Sequence, residues 1–229
     1  MEYRRIRLGQ IGSSDRTAFA VSELVRFLKK MDPELVIDVL KADSVKETYS
    51  QLIWVGLDKN FSSKVQEVTD PSLDDAVVVD IKDSIGYITG SNERSVLLAV
   101  YRFLKELGCE WVRPGVEGER IPHKKIEHLQ VSVCEVASYR HRGVCIEGAN
   151  TYENVLDMID FLPKVGMNEY FIQFLVPSTF FERWYHHEGN PYFAKEDISR
   201  EEVQGMVLGL EDEINKRGIR YHKTGHGWT

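Results

Sequence analysis

Lys164-Val165-Gly166-Met167-Asn168-Glu169-Tyr170-Phe171-Ile172-Gln173-Phe174-Leu175 and, further on, Lys216-Arg217-Gly218-Ile219-Arg220-Tyr221-His222-Lys223-Thr224 follow one pattern. Each has a basic helix end, a glycine suited to the left-handed closing position, and an apolar run of strand length. The first is preceded by a helix over Tyr152–Val165, with Pro163 in its last turn. The second is preceded by Ser199 and Glu202 at capping-box spacing, then Val203, Met206, Val207, Leu210 and Ile214 on one helical face. Upstream, Tyr139–Ile146 reads as a strand that ends in the polar run Glu147-Gly148-Ala149-Asn150-Thr151. Two successive βα units imply parallel pairing, because each crossover helix returns the chain to the same side of the growing sheet. An open doubly wound sheet and a (βα)8 barrel share this pattern. A dinucleotide-binding sheet wants a glycine-rich turn after its first strand, and Glu147-Gly148-Ala149-Asn150 is not G-x-G-x-x-G. The barrel is the favoured reading.

The first half alternates differently. Strand candidates are Arg4–Ile11, Leu35–Leu40, Leu52–Leu57, Ala76–Ile81, Ile85–Thr89, Cys109–Val112 and Ile126–Val136, with a polar loop over Val116–Lys125. Two helices interrupt them. Asp15–Lys30 carries Ala18, Val21, Leu24, Val25 and Leu28 at helical spacing. Asn92–Leu107 carries Val96, Leu97, Val100, Phe103 and Leu104, with Ser91 or Asn92 as its cap and Gly108 as its stop. The fold expected is α/β: a small α+β accessory domain over residues 1–136, then residues 137–229 as the first three strands of an incomplete TIM barrel.

The 229 residues are 42% hydrophobic and 28% charged, which excludes a disordered tail or a fibre. A net charge of −7 repels phosphate backbones, so no nucleic-acid partner is expected. No run approaches the roughly 18 apolar residues that span a bilayer, and no membrane partner is expected. Cys109, Cys134 and Cys145 are too few and scattered for a disulfide framework. Met1-Glu2-Tyr3-Arg4-Arg5-Ile6-Arg7-Leu8 has no apolar core, so a cytoplasmic location is expected.

Several short motifs occur in register with a known group. Ile88-Thr89-Gly90-Ser91-Asn92-Glu93-Arg94, Tyr101-Arg102-Phe103-Leu104, Leu107-Gly108 and Trp111-Val112-Arg113-Pro114-Gly115 resemble the small α/β domain of certain glycosidases. That domain precedes the catalytic barrel in family-20 β-N-acetylhexosaminidases and in α-glucuronidases. Tyr139-Arg140-His141-Arg142-Gly143 resembles the Arg-Gly motif on the hexosaminidases' first barrel strand. Lys164-Val165-Gly166-Met167-Asn168 is similar to their Lys-Leu-Asn opening of the second strand, and Arg217-Gly218-Ile219-Arg220 with Gly225-His226 to their third. Two departures stand out. The His-x-His pattern of the second strand is replaced by Phe171-Ile172-Gln173-Phe174-Leu175, and the third strand's Pro-Glu-x-Asp by Tyr221-His222-Lys223-Thr224.

The resemblance implies a carbohydrate substrate, with Arg142 gripping sugar hydroxyls and His226 near the pocket rim. A guanidinium, with its fixed paired donors, suits that role. In a barrel, chemistry gathers at the C-terminal strand ends, which adds Glu147 and Trp228 as substrate-binding candidates. The aromatic loop Val176–Ile198, with Phe180, Phe181, Trp184, Tyr185, Tyr192 and Phe193, suits sugar faces or packs the loop onto the barrel. No catalytic residue is assigned, since the resemblance puts the acid pair at the end of a fourth strand. No cofactor is expected. No metal is expected either: His222 and His226 have zinc-motif spacing, but four strand residues span about 13 Å, and the adjacent His186 and His187 point apart.

The expected function is thus that of a glycoside hydrolase fragment, accessory domain plus partial barrel, inactive alone and self-associating through its open barrel edge. The alternative is a non-catalytic carbohydrate-binding or assembly module.

Overall fold

The computed structural model describes residues 4–45, 52–61, 68–146 and 150–224. They form two compact units, one within Met1–Val112 and Glu119–Arg140, the other within Arg113–Gly118 and His141–Thr229.

The first unit contains β1 (Arg5–Ile11), α1 (Asp15–Met31), β2 (Val36–Ala42), β3 (Ile53–Leu57), β4 (Ala76–Lys82), β5 (Ile85–Gly90), α2 (Glu93–Glu106), the short pair β6 (Glu110–Trp111) and β7 (Glu119–Arg120), and β8 (Val131–Val136). Its main sheet is mixed, in the order β2-β1-β3-β5-β4-β8. The pairs among β2, β1, β3 and β5 are parallel, and β4 is antiparallel to both β5 and β8. The helices pack against each other and against the sheet, α1 through Ala20, Leu24, Phe27 and Leu28, α2 through Val96, Val100, Phe103 and Leu104. Each has one apolar stripe, and burying it is what fixes the helix to the sheet. Phe27, Tyr101 and Trp111 meet edge to face with centroids 5.2 to 6.1 Å apart.

The Thr89–Arg94 motif turns out to be a structural joint. Asn92 accepts from Ser95 N at 2.9 Å and so caps α2, while its amide donates to Asp75 Oδ1 at 3.2 Å. Arg94 donates to the same carboxylate at 2.7 Å through Nη2 and 3.0 Å through Nε, and the Ser95 hydroxyl donates at 2.7 Å. Both Asp75 and Arg94 are buried. A buried charge is tolerated only when it is paired and hydrogen-bonded, and here both conditions are met.

One strand expected over Ile126–Val136 is shorter, beginning at Val131. The preceding backbone is tied elsewhere: Ile126 N donates to Asp32 Oδ2, Leu129 N donates to Ser84 Oγ, and His128 has a positive φ.

The second unit contains β9 (Gly143–Ile146), α3 (Tyr152–Lys164), β10 (Glu169–Ile172), α4 (Pro177–Tyr185), α5 (Arg200–Arg217) and β11 (Arg220–Lys223). The strands are parallel, in the order β11-β10-β9. Val155, Ile159, Leu162, Val203, Leu210 and Ile214 of the helices pack with Tyr170, Ile172 and Ile219 in one apolar cluster. Arg217 ties α5 to α3 by donating to Asp160 at 2.8 Å. Gly218, at φ 67°, closes α5 in the left-handed conformation. α5 begins with the expected capping box of Ser199 and Glu202.

The loop expected over Val176–Ile198 holds a helix, α4. Pro177 occupies its first turn, where a missing N–H costs nothing. Phe180 and Phe181 are fully buried and stack edge to face, so the segment's aromatics are partly core.

Arg94→Ala would strand the Asp75 carboxylate in the interior. We expect it to lower the unfolding free energy by about 3–5 kcal/mol in urea titrations, far more than an exposed Arg→Ala change.

Candidate functional site

Side chains alternate along a strand. In the second unit Val144, Ile146, Tyr170, Ile172, Ile219 and Tyr221 pack with the helices. The intervening residues, Gly143, Cys145, Glu169, Phe171, Arg220 and His222, therefore lie on the opposite face. Together with His141 this face borders an open concavity of about 710 Å³.

Glu169 is the centre of that face. It is only 9% exposed and sits at the first position of β10, in register with Gly143 on one side and Arg220 on the other. A side chain on Gly143 would put its Cβ 2.6 Å from Glu169 Cβ, so the glycine makes room for the glutamate. His141 Nδ1 hydrogen-bonds Glu169 Oε1. Arg220 Nη1 donates to that oxygen at 3.0 Å and lies 3.5 Å from His141 Nδ1. His222 Nε2 approaches the other carboxylate oxygen at 3.5 Å and its ring meets Phe171 edge to face. Burial works to raise the Glu169 pKa, but the hydrogen bonds from His141 and Arg220 and the nearby imidazoles outweigh it and hold the carboxyl below the ordinary glutamate range. The constellation therefore sets an ionised carboxylate and two exposed imidazoles beside one cavity, with a guanidinium bonded to the carboxylate.

Of the four residues expected to bind substrate, Arg142 is described and Glu147, His226 and Trp228 lie outside the described residues. Arg142 stands where the chain enters β9. Its Nε donates to the Gly166 carbonyl at 2.8 Å, and its backbone N–H donates to Asn168 Oδ1 at 3.0 Å. It thus links the start of β9 to the turn between α3 and β10. A second concavity, of about 390 Å³, is bordered by Arg183, Trp184, His187 and Phe193, with the His187 and Phe193 rings 5.4 Å apart. Tyr192 and Phe193 are largely exposed.

Sequence reasoning missed the Glu169 constellation because its members are far apart along the chain and meet only across three strands. The available signal was parity: Glu169, Arg220 and His222 are polar residues on the alternate face of runs whose other face is apolar.

The lowered Glu169 pKa gives a pH dependence with a definite sign. Folding favours the ionised form, so this contribution is present above the ordinary value near 4.5 and is lost as pH falls through the lowered folded value. Glu169→Gln should therefore destabilise the protein most at neutral pH, and the gap from the parent should narrow as pH falls below the ordinary glutamate value of 4.5 in urea unfolding.

No family model matches the chain, and no curated protein matches it. Among solved structures it is similar to a GH138 enzyme targeting pectin rhamnogalacturonan II, with a TM-score of 0.55 at 14% identity over 93% of this chain. It is also similar to the GH20 exo-β-N-acetylglucosaminidase of Vibrio harveyi in complex with N-acetylglucosamine, with a TM-score of 0.49 at 12% identity over 96% of this chain. The chain spans 24% of the first and 32% of the second. At such identity the likeness is one of fold alone.

Proposed function

We propose that this chain is the front part of a glycoside hydrolase acting on a glycan, with residues 1–136 as its accessory domain and residues 137–229 as the first three βα units of a (βα)8 catalytic barrel. The observation that carries the reading is the second unit's sheet. Its strands are parallel and in chain order, its helices bury one face, and the opposite face is lined by charged and polar groups. Parallel sheets are normally covered on both faces. Among the described residues β9 and β11 each pair on one side only. A barrel of eight strands would supply both missing partners, closing the edges and enclosing the open face. The fold likeness to the GH138 enzyme, whose target is a pectic polysaccharide, supports a carbohydrate substrate.

In this reading the sugar pocket lies beyond the C-terminal strand ends, where Glu147, His226 and Trp228 follow β9 and β11, whereas Arg142, bonded to the Gly166 carbonyl, stands at the entry end of β9. Glycoside hydrolysis commonly uses two carboxyl groups, one as acid, about 5 to 9.5 Å apart. The only carboxylate of the strands' open face, Glu169, is paired with Arg220 and stands at their N-terminal end. The acid pair is therefore assigned to later strands.

One observation favours a second role, carbohydrate binding without chemistry. Trp184 and Phe193 border an apolar hollow beside Arg183 and Asn190, a combination that suits a sugar ring's apolar face and hydroxyl edge.

The 229-residue chain alone should not turn over aryl β-N-acetylglucosaminides or aryl glucuronides, whereas the polypeptide extended by the rest of its reading frame should hydrolyse a glycoside. Turnover by the short chain would overturn the proposal. In the extended protein Arg142→Ala should lower the melting temperature by removing the bond to the Gly166 carbonyl, and a kcat/KM loss equivalent to about 2–4 kcal/mol would instead put the guanidinium on sugar hydroxyls. An unchanged kcat/KM with a lowered melting temperature would make it a clamp on the Gly166 turn alone.

A further inference from the structure

Glu169, His141 and His222 are a metal-ligand set in type and placement. One carboxylate oxygen and two imidazole nitrogens lie within 4.8 Å of one another. Tetrahedral zinc with bonds of about 2.0–2.2 Å needs its ligand atoms about 3.4 Å apart. The His141–Glu169 pair is already in contact and His222 Nε2 is 3.5 Å from Glu169 Oε2, so only small rotations of two exposed rings are needed to converge on one ion.

Charge pairing alone does not account for the arrangement. Glu169 already has its cation in Arg220, at 3.0 Å. Two more imidazoles on the same carboxylate would, if protonated, crowd three positive groups around one negative charge. If neutral, each presents either a ring N–H or a nitrogen lone pair to the site, according to tautomer. A divalent cation at their meeting point would use both imidazole lone pairs and the carboxylate oxygen that Arg220 does not bind. Arg220 bonds Oε1 and leaves Oε2 turned to His222, so the arginine would orient the carboxylate as an outer partner of the kind metal ligands generally have.

We propose that Glu169, His141 and His222 bind one divalent transition-metal ion as a clip across β9, β10 and β11 on their open face. The imidazole and carboxylate donors select zinc and its first-row neighbours over magnesium or calcium, which prefer all-oxygen shells. Three protein ligands leave the fourth position to water or a small ligand from the adjoining concavity. Each ligand comes from a different strand or its leading residue, so the ion binds the folded unit and not the unfolded chain, and it stabilises by mass action. The inference does not depend on the glycosidase reading, because it rests only on the placement of these three side chains.

The test is titration of the chelator-treated 229-residue chain with zinc chloride alone, read by calorimetry and by melting temperature. Cobalt serves as a second probe, for the visible absorption of a four-coordinate ion. We expect one ion per chain and a melting temperature that rises with zinc concentration. Changing an outer partner of a metal ligand alone costs about 10–100-fold in affinity, so removing a ligand by Glu169→Gln or His222→Ala should cost at least about tenfold. His222 is exposed, so His222→Ala should still fold, which circular dichroism checks. The double variant His186→Ala/His187→Ala should bind as the parent does, because those histidines lie outside the set. Absence of binding, or binding unaltered in both Glu169→Gln and His222→Ala, would overturn the proposal. So would loss of binding in the His186/His187 variant alone.

Discussion

The carboxylate of Glu169 is the group around which the second unit is arranged. An ionised carboxyl that is almost wholly covered must be met by donors or cations. Each neighbour here is placed by backbone pairing: Arg220 opposite it on β11, His141 just before β9, and Gly143 opposite it on β9. The glycine matters as much as the charged groups. A Cβ at Gly143 would lie 2.6 Å from both the Cβ and the backbone carbonyl oxygen of Glu169, so β9 could not approach β10 this closely at that pair. A one-residue slip in β10 would bury Tyr170 in this polar face and turn Glu169 into the apolar cluster of α3 and α5, so the register of all three strands is held by one buried charge.

The first unit uses a buried charge differently. Asp75 is held by Arg94, Ser95 and Asn92, all within the opening turn of α2 or its cap. Their donors converge at the helix N-terminus, where the dipole also favours a negative charge. The Asp75 carboxylate thus joins the start of β4 to the start of α2. The motif Gly90-Ser91-Asn92-Glu93-Arg94, read from sequence as a mark of a glycosidase accessory domain, has a local physical role in fastening helix to sheet.

These two cases show what can be read from sequence and what cannot. Periodic apolar patterns are local, so α1, α2, α3 and α5 and the core of most strands were legible, as was the capping box at Ser199 and Glu202. The strand limits were less so, since Ile126 and Leu129 spend their N–H groups on Asp32 and Ser84 and no ladder can include them. α4 escaped because Phe180, Phe181, Trp184 and Tyr185 look like a binding loop until the core claims the first two. The constellation at Glu169 was illegible for a different reason. Zinc-like spacing along the chain pairs His222 with His226, whereas His222 faces Glu169 on the neighbouring strand, with His141 just before β9. Local spacing reports on helices and turns; a site spread over parallel strands is encoded only in register.

Register also decides how the two ends of these strands divide their work. Parallel strands enter together and leave together, so one end gathers His141, Glu169 and Arg220 and the other the residues that follow Ile146, Ile172 and Lys223. In a barrel, loops at the exit end vary with substrate while the entry end carries stability. A charged cluster at the entry end fits the second duty, because its hydrogen bonds tie strands whose outer edges lack partners among the described residues. The exit end is then free to be built from longer segments, such as the stretch between β10 and α5 that includes α4. Separation of the two duties lets a polar clamp stabilise the sheet without placing its charges in the pocket where a sugar would be held.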